Sequence, residues 1–180
     1  MSLKGSKTEK NLLKTFAGES RARNKYNLYA EKAKSEGYMW IAEVFESIAL
    51  NEYAHAREVY KRYLDRVCCT KNNLIESAIS EAEESKVVYK NFENMAREEG
   101  FDEIADFYKE LQEVEESHKE KFLDLAKRVK DNMIFASEKK SYWKCLNCGY
   151  IYEGCEAPEK CPLCRYPKSY FKKLKGKDCR

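Results

Sequence analysis

Apolar residues in the first two-thirds of the chain recur at three-to-four spacing, as in Ile41, Val44, Phe45 and Ile48, and again in Ile104, Phe107, Tyr108 and Leu111. Polar and charged residues fill the intervals, which is the pattern of helices that turn one face to a core. Between Lys7 and Lys130 there is no proline, and the only glycines are Gly18, Gly37 and Gly100. That region is free to be almost continuously helical. Pro158, Pro162 and Pro167, the three prolines of the chain, all lie in its last forty residues, so the composition changes near residues 131–141.

The helical region repeats itself. A shift of 63 positions carries Tyr26 onto Tyr89, Gly37 onto Gly100, Ile41 onto Ile104, Ala42 onto Ala105, Glu52 onto Glu115 and His55 onto His118. A period of this size with helical patterning predicts a duplicated helical hairpin. The turns are expected at residues 35–38 and 98–101, where Gly37 and Gly100 suit the left-handed conformation that ends a helix. A longer connection is expected around residues 68–73.

In antiparallel helices, residues equally far from the turn lie at the same height. Glu19 and Glu52 are 18 and 15 residues from Gly37, and Glu84 and Glu115 are 16 and 15 from Gly100. Glu81 lies one turn from Glu84, and each histidine of this two-histidine chain stands three residues after a glutamate. Two Glu-x-x-His pairs with glutamates from two further helices form the ligand pattern of di-iron carboxylate bundles. A lone glutamate ordinarily makes a surface salt bridge, but several inward carboxylates need cations to offset their repulsion and desolvation. Carboxylate-rich ligation with two imidazoles suits iron or manganese. Tyr26 and Tyr89 fall near this layer, either as hydrogen-bond partners of ligand carboxylates or as core packing. Glu19 precedes Tyr26 by seven residues and Glu81 precedes Tyr89 by eight, an extra residue compatible with a π-bulge.

The last segment holds two Cys-x-x-Cys pairs, Cys145 with Cys148 and Cys161 with Cys164. Two such turns complete a tetrahedron around one metal ion, and a segment this short needs the metal to fold. Trp143, Tyr150, Tyr152, Tyr166 and Phe171 are candidates to shield it. Spacing alone leaves iron and zinc open. Cys68, Cys69, Cys155 and Cys179 read as free thiols.

Residues 141–180 carry 9 Lys and Arg against 4 Asp and Glu, and the rest of the chain 25 against 27. Lys172, Lys173, Lys175 and Lys177 form a basic end, either solvated or a patch for an acidic partner. No run approaches membrane-spanning length, and residues 1–10 lack the apolar core of a signal peptide, so a cytoplasmic protein is expected, binding neither membrane nor nucleic acid.

Residues 11–23 (NLLKTFAGESRAR), 96–107 (AREEGFDEIADF) and 143–150 (WKCLNCGY) closely resemble the signatures of the rubrerythrin family, and Cys161-Pro-Leu-Cys164 resembles the end of its rubredoxin-like domain. The resemblance spans nearly the whole chain. It implies an all-α, ferritin-like four-helix bundle over residues 1–134, a linker over 135–141, and a small, mostly irregular or β, rubredoxin-like metal knuckle over 142–180. It implies two non-haem irons in the bundle, bridged by oxo and carboxylate groups, and one iron on the four cysteines, with zinc the alternative. Glu52 and Glu115 would bridge, Glu19 and Glu81 would be terminal, and His118 would bind the second iron. Glu84 and His55 would alternate on the first, and Glu84 is the ligand beyond the ordinary six. Ser85 departs from the tryptophan usual there.

The activity implied is reduction of hydrogen peroxide, with electrons from NADH through a separate reductase or a rubredoxin. Glu84, His55, Tyr26 and Tyr89 are the expected catalytic groups. A homodimer is implied in which one chain's tail serves the other's bundle. The alternatives are a ferroxidase or iron-handling protein, and a zinc-ribbon binding module on a helical bundle.

Overall fold

The computed structural model describes residues 2–174 and divides the chain into two compact units, residues 1–68 and 69–180. The first unit is a helical hairpin of α1 (Lys7–Ser35) and α2 (Met39–Arg57), the latter continuing as a π-helical stretch, Glu58–Tyr63. Ser6 starts α1: its Oγ accepts from the Glu9 backbone N–H at 3.0 Å, satisfying a donor the helix itself cannot pair. Gly37, at φ +84°, ends α1, and the Tyr38 N–H reaches back to the Ala33 carbonyl at 2.9 Å. Ala30, Ala33 and Ala42 are buried between the helices with Phe45 packed against them. Such small side chains let the two backbones approach closely.

The second unit repeats this plan. The helices α3 (Thr70–Glu83) and α4 (Tyr89–Glu98) are joined by a π-helical stretch, Glu84–Val88, and α5 (Asp102–Lys130) packs along both. Gly100 takes φ +82°, and the Phe101 N–H bonds the Ala96 carbonyl at 2.8 Å. Ala96 and Ala105, the repeat mates of Ala33 and Ala42, are buried like them. The π stretch absorbs the extra residue counted between Glu81 and Tyr89.

The connection between the hairpins is Leu64–Cys69, not residues 68–73, because Thr70 is already helical and the Asn73 N–H bonds the Cys69 carbonyl. No proline or glycine marks this boundary. The π stretch Glu58–Tyr63 likewise follows the last ligand of its helix and therefore leaves no offset between motifs.

After α5 the chain forms a three-stranded antiparallel sheet of β1 (Ala136–Cys145), β2 (Ile151–Glu156) and β3 (Phe171–Lys173), ordered β2-β1-β3. Strand β1 takes in most of the stretch expected as linker. Trp143, Cys145, Ala157, Cys161 and Phe171 form its core, with Tyr150 and Tyr152 against it, and the Trp143 Nε1–H donates to the Gly154 carbonyl at 2.9 Å. Tyr166 stands outside, edge-on to Tyr170. Lys173 donates to Ser137 Oγ at 2.6 Å, while Lys175, Lys177 and Cys179 lie outside the described residues. Among the described residues no helix is long and apolar enough to cross a membrane.

The two hairpins also differ in their packing. Ala30 and Ala49, buried in the first, correspond to Glu93 and Gln112 in the second. Glu93 is only 6% exposed, and its carboxylate accepts from Gln112 Nε2 and Lys90 Nζ, both at 3.0 Å, and from Arg97 at 3.2 Å. The Gln112 bond first, then Lys90, hold its carboxyl down at about 2, against an ordinary 4.5. A depressed pKa stabilises the fold above the ordinary value, and the benefit disappears as pH falls through the folded one. Glu93→Ala is therefore expected to melt at a lower temperature than the parent at pH 7, with the gap closing between pH ~4.5 and ~2. Calorimetry at stepped pH checks this; a gap independent of pH would contradict it.

Candidate metal centres

Each hairpin brings one histidine and two carboxylates together. In the first, His55 Nδ1 lies 2.9 Å from Glu52 Oε2 and 3.7 Å from Glu19 Oε2. In the second, His118 Nδ1 lies 2.8 Å from Glu115 Oε2 and 3.7 Å from Glu81 Oε2. The donor atoms within each triad all fall within 4.8 Å of one another. This agreement follows from the duplication: each Glu-x-x-His pair spans one turn of α2 or α5, and the partner glutamate comes from the facing helix.

The electrostatics of both triads call for a cation. The shared hydrogen bond with Glu52, then burial, pushes the Glu19 carboxyl above its ordinary range, and burial followed by contact with Glu115 does the same to Glu81. Like charges this close disfavour double ionisation, and a bound metal reverses the effect. Oxygen-rich donors with one imidazole per hairpin fit iron.

Glu84 is not part of either triad. It lies at the start of the π stretch, and the Tyr89 hydroxyl donates to its Oε2 at 3.1 Å. Burial and this bond raise the Tyr89 pKa, so the phenol stays a donor. Tyr26, the repeat mate of Tyr89, packs against Tyr29 and Phe45. Ser85 is buried and lines a cavity of about 610 Å³ with Lys86, Lys90, Lys109 and Gln112 among others. Glu93 and Gln112 escaped sequence reasoning because a glutamate in a charged helix reads as surface; only its match to Ala30 under the repeat marks it as buried.

The four cysteines of the tail converge. Cys145 Sγ lies 3.7 Å from Cys164 Sγ, and Cys148 Sγ 3.7 Å from Cys161 Sγ. These separations exceed a disulfide but match the edges of a sulfur tetrahedron with metal–sulfur bonds of about 2.3 Å. The two knuckles are built alike. The Gly149 N–H bonds the Cys145 carbonyl and the Arg165 N–H the Cys161 carbonyl, both at 2.9 Å, while Cys145 and Cys161 donate back to the Tyr150 and Tyr166 carbonyls, both at 2.8 Å. The Tyr166 backbone N–H holds the Cys164 thiol down at about 6. Cys148 also accepts a backbone N–H, from Tyr150, but burial and the other sulfurs push it up to about 12. Four thiolates coexist here only around a cation. Cys68, Cys69 and Cys155 are exposed and form no disulfide.

Two helical hairpins with matched Glu/Glu/His triads, followed by a tetracysteine sheet, define a ferritin-like di-iron carboxylate protein with a rubredoxin-like iron module. The rubrerythrin family model matches residues 10–126 and again 72–147, and the model of the rubrerythrin rubredoxin-like domain matches residues 143–172. The chain belongs to the rubrerythrin family. It is 41% identical to rubrerythrin of Nitratidesulfovibrio vulgaris, over 96% of this chain and 97% of that one, and 39% identical to rubrerythrin-1 of Clostridium acetobutylicum over the same shares. A solved structure of nigerythrin in a partially reduced state aligns over 96% of this chain and 91% of that one, at 29% identity and a TM-score of 0.37. The second family match begins 62 residues after the first, as a duplication with a period near 63 requires.

Two outcomes follow from these electrostatics and this backbone. A carboxyl with a raised folded pKa weakens the fold at neutral pH, and the penalty is relieved as pH falls. Glu19→Gln and Glu81→Gln should therefore match or exceed the melting temperature of the metal-free parent at pH 7 while binding less iron; a clear loss of metal-free stability would refute the crowding argument. Arg165 sits at φ +64°, where Gly149 at φ +79° occupies the equivalent position. Arg165→Gly is expected to stabilise the tail by about 1 kcal/mol by removing the left-handed penalty, measurable by denaturant unfolding.

Proposed function

We propose that this protein reduces hydrogen peroxide to water at a di-iron site held by Glu19, Glu52, His55, Glu81, Glu84, Glu115 and His118, and that the tetracysteine iron returns the electrons. The observation that carries this reading is Glu84: a carboxylate surplus to the two matched triads, oriented by the Tyr89 hydroxyl. When bound, two ferrous irons supply two electrons and Lewis acidity, so that hydrogen peroxide, two electrons and two protons give two waters.

Glu52 and Glu115 would hold both irons, Glu19 and Glu81 would hold one each, and His118 would hold the second. His55 and Glu84 would both serve as ligands of the first iron. Held at Oε2 by the Tyr89 hydroxyl, Glu84 would carry a proton to the peroxide oxygen, a role suited to a carboxylate whose partner stays protonated. Tyr26, the repeat mate of Tyr89, would serve the first triad in the same way.

Domain boundaries are assigned at a bundle over residues 1–134, a linker over 135–141 that already enters β1, and an iron domain over 142–180. The working protein is a cytoplasmic homodimer in which one chain's tail reduces the other's bundle, itself re-reduced by an NAD(P)H-dependent reductase or a rubredoxin. The family assignment and the thiols support this reading.

Glu84→Ala is expected to lower peroxide turnover by on the order of 10²-fold, the usual contribution of a positioned acid–base group, with helical content unchanged; an unaltered rate would remove its role. Cys161→Ser should react with peroxide once and then fail to be re-reduced. Undiminished steady-state turnover in that variant would show that electrons enter elsewhere.

A further inference from the structure

The first hairpin holds a cavity of about 470 Å³ whose chemistry is set by Phe16 and Arg23 of α1, by Tyr53 and Arg57 of α2, and by Tyr60 and Lys61 of the π stretch. Ser20 and Ala56 also line it. Ser20, Tyr53 and Ala56 directly follow Glu19, Glu52 and His55, so the cavity lies on the next face, about 100° round each helix from the triad. No ligand of either triad lines it, and the site stands apart from the di-iron reading.

Its charge is one-sided. Arg23, Arg57 and Lys61 are cations, and among the described residues no Asp or Glu lines the cavity. Within 4.0 Å neither Arg23 nor Lys61 meets a described carboxylate. The Arg23 guanidinium lies instead 4.5 Å from the centroid of the Tyr53 ring. Arg57 lies 5.9 Å from the same centroid, and its carboxylate contact is its exposed chain neighbour Glu58, at 3.5 Å. Three cations around one concavity raise a positive potential that draws an anion.

The aromatic walls specify which kind of anion. Phe16 and Tyr60 stack with centroids 4.4 Å apart, and Tyr53 is the ring that both guanidiniums approach. Aromatic side chains pack against planar rings, and guanidinium forks grip phosphate oxygens in pairs. The volume falls in the range of small-molecule sites, about 300–1,000 Å³.

The hairpin plan itself requires none of this. The 63-residue shift carries Tyr53, Arg57 and Lys61 onto Glu116, Glu120 and Asp124, and Phe16 and Tyr60 onto Ile79 and Leu123. The second hairpin thus keeps the helices and the triad with carboxylates in place of the cations and aliphatic side chains in place of the stacked rings. Packing two helices needs neither the positive charge nor the aromatic walls.

We propose that this cavity binds a free nucleoside phosphate. Arg23 and Arg57 take the phosphate, Lys61 adds a third positive charge, and the base packs on the aromatic rings. Asn24, an exposed lining residue, supplies an amide to the edge of the base.

Calorimetric titration of the full-length, metal-loaded protein with AMP tests this. AMP is expected to saturate the site, and adenosine and orthophosphate, each filling half of it, to bind at least about tenfold more weakly. Arg23→Gln and Arg57→Gln should each weaken AMP about tenfold, the usual cost of one charge-assisted hydrogen bond, with helical content unchanged. Tyr53→Ala should weaken AMP more than orthophosphate. Arg62→Gln, which removes a neighbouring cation outside the cavity, should leave AMP binding as it was. If an arginine variant loses helical content, Lys61→Gln gives the same reading from an exposed position.

Absence of saturable AMP binding, orthophosphate binding as tight as AMP, or an equal loss in Arg62→Gln would overturn the site. So would AMP binding that survives both arginine substitutions, because the phosphate would then sit on the irons. A short single-stranded oligonucleotide that binds much more tightly than AMP would overturn the assignment to a free nucleotide.

Discussion

Carboxylates gathered at one point repel one another, and in this protein that repulsion is built in twice. Glu19 beside Glu52 and Glu81 beside Glu115 each hold a carboxyl above its ordinary pKa, within reach of a single histidine. Helical rods position these groups at a cost to the bare fold, and a divalent cation converts the cost into binding energy. The same logic governs the tail, where four sulfurs at tetrahedral spacing perturb each other's ionisation. Both the hairpins and the tail are therefore organised to receive positive charge, and the helices and strands position the groups that hold it.

Duplication made the site economical to build. One hairpin plan, closed by a left-handed glycine and packed through buried alanines, places a Glu/Glu/His triad, and its second copy places the same triad to within 0.1 Å in the short contact. Departures from the symmetry are where function enters. Glu84 and the π stretch behind it exist only in the second hairpin's ligand region, and the Tyr89 hydroxyl fixes that extra carboxylate. The pair of buried Glu93 and half-buried Gln112 replaces two alanines and gives the second hairpin a polar anchor of its own.

Much of this was legible in the sequence. The 63-residue shift and the Glu-x-x-His pairs identify both triads, and the seven-versus-eight offset before the matched tyrosines locates one π stretch. The second, Glu58–Tyr63, lies beyond the last ligand and disturbs no spacing. Strand β1 begins in Ala136-Ser137-Glu138-Lys139-Lys140, which has no apolar alternation; there only Ala136 pairs with β2, and the register shifts before Ser141. The connector's true limits were hidden because nothing in residues 64–73 breaks a helix in the way proline or glycine does.

The claim that this is a peroxide reductase, rather than an oxygen-consuming iron handler on the same ligands, turns on which oxidant the reduced site prefers. Stopped-flow mixing of the anaerobically reduced full-length protein with hydrogen peroxide, and separately with oxygen, measures this directly. The account predicts that peroxide oxidises the bundle irons much faster than oxygen does; equal rates, or a faster reaction with oxygen, would contradict it.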